Sequence, residues 1–370
     1  MALTEQQIND VIDYANEQVK TIVAQTDIEN DKQVQRMYLA IDQLYKELNT
    51  MASRQIPSTL FNSYIQGLAT AEQLLQQLGI GAVLDAKGLV KIAQAPMHVE
   101  AIANIVSDTL DDLASAFRTA EQYSFKHLDQ AIADVKTELA NGYITGMTTK
   151  QITQRVGKKF GEKGMTAFVT KDGKHLPLDF YAKVVTRTKI QTAENHGHLN
   201  RYYERDVKYV YVTGSMPTCG YCARYRGIVF ATSRKDPDFP YINLHQTFPV
   251  HPNCRCTFRP WIRKFKSDSE VEREKQNAKQ FDINQFDDPR DHEERRKYKA
   301  NQKAKQKARK KRLTFNRMQR VLGKDGPQSY NEFANASKLQ YHSWVAQMKN
   351  MYNPHKQYEP PTPDDSNADK

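Results

Sequence analysis

All four cysteines of this 370-residue chain fall within one short stretch, as Cys219-Gly220-Tyr221-Cys222 and then His251-Pro252-Asn253-Cys254-Arg255-Cys256. Thiols confined in this way converge on one point in space, as a soft ligand set or a redox pair requires. Upstream lie helical patterns and downstream a strongly basic segment. The cysteine stretch therefore reads as a compact unit between two regions of different composition.

The helical patterns begin at the N-terminus. Thr4-Glu5-Gln6-Gln7 has the form of a capping box, and Ile8, Val11, Ile12, Ala15, Val19, Ile22 and Val23 follow at helical spacing. A second amphipathic helix is expected through Val34, Met37, Tyr38, Ile41, Leu44, Tyr45 and Leu48. A third is expected to start at Pro57-Ser58 and to stop at Gly79. A long helix follows from about Pro96 to Leu139, ended by Asn141-Gly142. Thr148 and Gln151 then form a second capping box.

From there the pattern changes period. Apolar runs around Lys171-Asp172-Gly173-Lys174 predict a hairpin, because Asp-Gly suits the positive φ of a tight turn. Phe180 to Tyr203 reads as a helix. Val207 to Val212 alternates β-branched and aromatic residues and reads as a strand, and Gly227 to Ala231 as another. The expected fold class is α+β, predominantly α. It comprises an N-terminal helical bundle over 1–142, a small α+β cysteine-containing domain over 143–262 and a basic, partly disordered extension over 263–370.

A formal charge of +11 and a pI near 9.2 point to a polyanionic partner. The excess is concentrated in Arg295, Arg296, Lys297, Lys299, Lys303, Lys305, Lys307, Arg309, Lys310, Lys311 and Arg312. This block suits a helix but offers no apolar face, so it is either solvated or bound to an anion. Such a helix binds duplex DNA without reading sequence, and its few aromatics disfavour single-strand stacking. No apolar run reaches the ~18–20 residues of a bilayer span, and no secretory signal opens the chain. Synthesis in a reducing cytoplasm is expected, where clustered cysteines are ligands or free thiols more often than disulfides.

The order of these elements resembles a known family. Phe168-Val169, Asp172-Gly173, Leu176-Pro177-Leu178, Tyr181-Ala182, Val185-Thr186-Arg187-Thr188, Asn195-His196, Cys219-x-x-Cys222, Gly227-Ile228-Val229-Phe230 and His251-Pro252-Asn253-Cys254-Arg255 are similar to the phage minor capsid protein 2 family. The later elements are also similar to Mu F-like head morphogenesis proteins of tailed bacteriophages. The likeness runs from about Gly146 to Trp261, and Cys256 departs from it. It implies a structural minor capsid protein, present in a few copies inside the virion. The portal and major capsid proteins and packaged double-stranded DNA are the expected partners.

For the cysteines, the residues leave three readings open: structural zinc, a disulfide formed in the released virion, or buried thiols. Cys219, Cys222, Cys254 and Cys256 can furnish a zinc set, with His251 able to replace one of them. His196, His198, His245 and His251 can in principle build a hydrolase site. No Ser-His-Asp order, paired carboxylates or glycine-rich phosphate loop accompanies them, so no enzymatic activity is expected. Two alternatives stand beside the structural role: a zinc-dependent nuclease or toxin-like effector delivered with DNA, and a non-phage nucleic-acid-binding module.

Overall fold

The computed structural model describes residues 25–140, 173–284 and 288–352 continuously, with single positions or short stretches within 11–23 and 156–171. The capping boxes at Thr4 and Thr148 and the chain end from 353 lie outside the described residues. The chain separates into two compact units, one of residues 1–215 with 221–288 and one of 216–220 with 289–370.

Helix α1 (Asp31–Gln77) starts where the Asn30 side chain accepts the backbone N–H groups of Lys32 and Gln33. The two helices expected on either side of Pro57 are therefore one, which corrects the expectation of a helix start there. Proline in a helix interior costs about 3 kcal/mol, because it removes one hydrogen bond and crowds the preceding turn. Here Tyr45, Leu48, Ile56, Leu60, Tyr64 and Leu68 continue one buried stripe straight past Pro57. Each fully buried side chain of this kind contributes about 1.5–3 kcal/mol, so burial outweighs the local penalty.

Helices α2 (Ala86–Ala93), α3 (Pro96–Ala140) and α4 (Leu178–Glu204) complete the helical layer. The apolar stripes of α1, α3 and α4 share one core, joined by a buried hydroxyl pair of Tyr45 and Ser124 at 2.8 Å. Strands β1 (Thr166–Val169) and β2 (His175–Pro177) form the expected antiparallel hairpin, with Gly173 at φ 77° in its turn. A second sheet orders β4 (Val229–Ala231), β3 (Tyr209–Gly214) and β5 (Cys256–Pro260), antiparallel throughout. Tyr202 and Asn195 of α4 fix β5, donating to the carbonyls of Phe258 at 3.2 Å and Cys256 at 3.1 Å.

Helix α5 (Asp268–Lys279), opened by the Ser267–Glu270 capping box, packs Val271 and Ala278 against Val229, Ala231 and Trp261. In the second unit, α6 (His292–Leu322) carries the basic block and is capped by Asp291 and Glu294. Its last turns bury Phe315, Met318 and Leu322 against Phe333 of α7 (Tyr330–Asn335) and Trp344 of α8 (Lys338–Tyr352). The fold is predominantly helical with a small antiparallel sheet, as the sequence pattern indicates.

Candidate metal centre

Of the first cysteine pair, Cys222 sits on a single helical turn, Gly220–Ala223, after the end of β3, and Cys219 immediately precedes that turn. The second sits where the chain enters β5. Between them His251, Pro252, Asn253 and Cys254 close a tight turn, with the Cys254 N–H donating to the His251 carbonyl at 3.0 Å. Proline in second place and Asn253 at φ 62° in third place are the residues a type II turn selects. Helix α4 fastens this turn. Arg187 Nη1 donates to Asn253 Oδ1 at 3.3 Å, and the Asn253 N–H to Thr188 Oγ1 at 3.4 Å.

The geometry brings the donors together. Cys222 Sγ lies 3.7 Å from Cys254 Sγ and 3.2 Å from His251 Nε2. Cys222, Cys254 and Cys256 form one group whose ligand atoms are all within 4.8 Å of each other, and Cys219, Cys222 and His251 form another. The cysteines are free thiols, and 3.7 Å is far beyond the ~2.05 Å of a disulfide bond. A tetrahedron built on Zn–S bonds of ~2.3 Å has S···S edges of roughly 3.8 Å.

Two further features suit a cation. His251 Nδ1 donates to the Pro252 carbonyl at 2.7 Å, since that oxygen can only accept. The Nε2 lone pair of a neutral ring therefore faces Cys222, the tautomer that a metal requires. Within the cluster, hydrogen bonds from Cys222 and Cys256 hold the Cys254 thiol far below its usual range, at about 2. For Cys256, the Cys222 hydrogen bond pulls downward but is outweighed by the Cys254 sulfur and by burial, which push it up to about 11. The buried cluster thus favours a thiolate at Cys254, and a soft dication neutralises such charge directly.

The supporting residues were less visible in the sequence. Arg226 bonds the Ser215 carbonyl at 2.6 Å and reaches the Cys256 sulfur. Gly214, at φ 154°, makes room for it, since a Cβ there would stand 2.5 Å from Arg226 Nη2. Asn195 was legible as part of the family pattern but not as the group that holds the Cys256 carbonyl. Arg224 donates to the carbonyls of Asp282 and Ile283. Asp206 pairs with Lys208 at 2.5 Å.

The four histidines divide among three surroundings. His251 joins the cysteines, and His198 Nδ1 faces Thr257 Oγ1 at 3.1 Å. His196 meets His245 edge-on with ring centres 4.5 Å apart, and His245 Nε2 bonds Asn200 Oδ1 at 2.9 Å. All eleven cations of the basic block lie on α6 and are exposed. Among the described residues, no helix is long and apolar enough to cross a membrane.

No curated protein and no solved structure matches the chain. Among protein families, the one described as Phage minor capsid protein 2 matches residues 3–325, most of the chain's length. The match takes in the helical layer, the hairpin, the cysteine turns and the whole of the basic helix α6. The chain belongs to the phage minor capsid protein 2 family, and its role is that of a structural protein of the phage head.

Proposed function

We propose that this protein is a minor head protein of a tailed phage, held inside the capsid in several copies. In this reading it contacts the portal or major capsid protein through its folded faces and packaged double-stranded DNA through α6. The observation that carries the DNA contact is the row of eleven exposed lysines and arginines from Arg295 to Arg312, with no acidic residue among them. At 1.5 Å per residue the row runs about 27 Å along the helix, enough to follow several phosphates of a duplex. Lys297 is held in an ion pair with Glu293 at 2.6 Å.

Zinc fits the cysteine cluster as a structural ion. Cys222 and Cys254 would hold it with two of Cys219, Cys256 and His251. It would supply folding free energy by tying the Cys219–Cys222 turn to the edge of β5, with no open position for chemistry.

The test of the DNA contact is duplex binding by the full chain across a salt series. Each phosphate neutralised contributes about −0.9 to the slope of log K against log salt. Replacing Lys303, Lys305, Lys307, Lys310 and Lys311 by Gln should flatten that slope and weaken binding alike for every duplex sequence. An unchanged slope would remove α6 from the interface.

A further inference from the structure

Beside the cysteine turn, β5 and α4 flank a cleft of about 600 Å³ that Cys254 borders at one edge. On β5, Cys256 and Phe258 point into the core, so Thr257 and Arg259, with Arg255 just before the strand, share the opposite face by the two-residue period of a strand. On α4, Arg187, Gln191, Glu194 and His198 recur at helical spacing and line the same cleft. Thr213 of β3, paired in register with Thr257, closes its floor.

Three guanidinium groups therefore meet a single carboxylate. Among the described residues, neither the Arg255 nor the Arg259 side chain makes a hydrogen bond or ion pair, and Arg187 donates to Asn253 at 3.3 Å. Burial raises the Glu194 carboxyl and so works against its negative charge. The second observation lies deeper. His198 is 2% exposed, its Nδ1 is engaged by Thr257 Oγ1, and its buried Nε2 has no partner. A buried polar atom left unpaired costs stability unless something completes it.

We propose that this cleft is a binding site for a phosphate-class oxyanion, held by the guanidinium groups of Arg187, Arg255 and Arg259, with His198 at its inner wall. Guanidinium forks match the spacing of phosphate oxygens, and three of them suit a ligand bearing more than one negative charge. The phosphate can belong to a free ion or nucleotide, or to a phosphodiester backbone threading the cleft. The site is separate from α6 and stands whether or not α6 meets DNA.

The experiment is calorimetric titration of the full-length protein with inorganic phosphate, beside an Arg255→Gln/Arg259→Gln double variant and a Lys307→Gln/Lys310→Gln/Lys311→Gln variant. Arg255 and Arg259 are exposed, so the double variant should keep its circular dichroism and melting temperature. The site predicts saturable binding, weakened at least tenfold in the arginine variant and unchanged in the lysine variant. A parallel nitrogen-15 spectrum of labelled histidines should show His198 moving on phosphate addition. In the lysine variant, displacement of phosphate by duplex DNA would assign the ligand to a backbone, and displacement by a mononucleotide alone to a small molecule; either supports the site. Absence of saturable binding, or equal affinity in the wild type and the arginine variant, would overturn it.

Discussion

Gly67 of α1 and Gly197 of α4 face each other where the two helices cross, and neither can carry a side chain. A Cβ on Gly67 would stand 2.1 Å from the Glu194 carbonyl oxygen, and one on Gly197 would stand 2.3 Å from that of Tyr64. Backbone meets backbone here, so there is no flexible side chain to yield. This contact seats α4, and α4 in turn carries Asn195, Tyr202 and Arg187, which hold β5 and the cysteine turn.

Replacing Gly67 or Gly197 by alanine should therefore destabilise the first unit despite alanine's better helix propensity. Overpacking costs about 1–3 kcal/mol where neighbours can shift, and backbone neighbours push toward the upper end. Urea unfolding followed by far-ultraviolet circular dichroism would register a lower midpoint. A midpoint equal to the wild type would mean that the helices are farther apart than described.

The same crossing buries an ionic network. Glu72, 2% exposed, accepts from Arg201 at 2.6 Å, from Arg205 at 3.0 Å and from the Ala82 N–H. Glu204 accepts from Arg201 at 2.8 Å and lies 3.1 Å from His98 Nε2. Tyr64 OH continues the chain to His98 Nδ1 at 2.6 Å and receives Asn200 at 2.7 Å. Glu72→Gln leaves two guanidinium groups under-compensated and should cost about 3–5 kcal/mol, the range for breaking a buried pair. Chemical denaturation would measure it. A loss below about 1 kcal/mol would show that water reaches Arg201.

Acid should act on the histidines before it acts on Glu72. Burial keeps His198 and His245 neutral, lowering both to about 4, with the neighbouring His196 adding to the effect at His245. A lowered histidine pKa means that the unfolded chain binds the proton first, so stability is full above about 6.5 and falls as pH drops toward 4. For His198 the full effect is roughly 3 kcal/mol at ~1.4 kcal/mol per unit. The melting temperature should decline from pH 7 to pH 4.5, less steeply in His198→Gln. Burial alone would raise Glu72, but the hydrogen bonds from Arg201 and Ala82 and the charges of Arg201 and Arg205 outweigh it. Its contribution is therefore lost only below the ordinary carboxylate range.

Cys222 belongs to both donor groups, so its removal should differ in kind from that of its neighbours. Cys222→Ser is expected to abolish metal retention and to loosen the sheet. Cys219→Ser or Cys256→Ser leaves one complete set of four donors and should reduce affinity without ending it. Metal analysis after gel filtration distinguishes the three, and equal retention in all of them would discard the shared role of Cys222.

Much of this was written in the sequence, because it rests on local rules. The apolar periods gave α1, α3 and α4, the Asp172-Gly173 pair gave the hairpin, and His251-Pro252-Asn253-Cys254 had the residues of its turn. The convergence of the thiols followed from their clustering alone. What escaped depends on tertiary contact. Pro57 reads as a helix start until the stripe from Tyr45 to Leu68 is seen to be buried on one core. Gly67 and Gly197 have no signature until the helices cross, and Glu72 looks like a surface residue until Arg201 and Arg205 approach from α4 and its end. Arg255 and Arg259 likewise share a face only once β5 is recognised as a strand.

The most direct measurement is the zinc content of purified full-length protein together with thiol titration under reducing, non-denaturing conditions. The account predicts about one zinc per chain and thiols that stay protected until a chelator is added, after which the unit melts at lower temperature. Metal-free protein with freely reactive thiols and an unchanged melting temperature in chelator would contradict it.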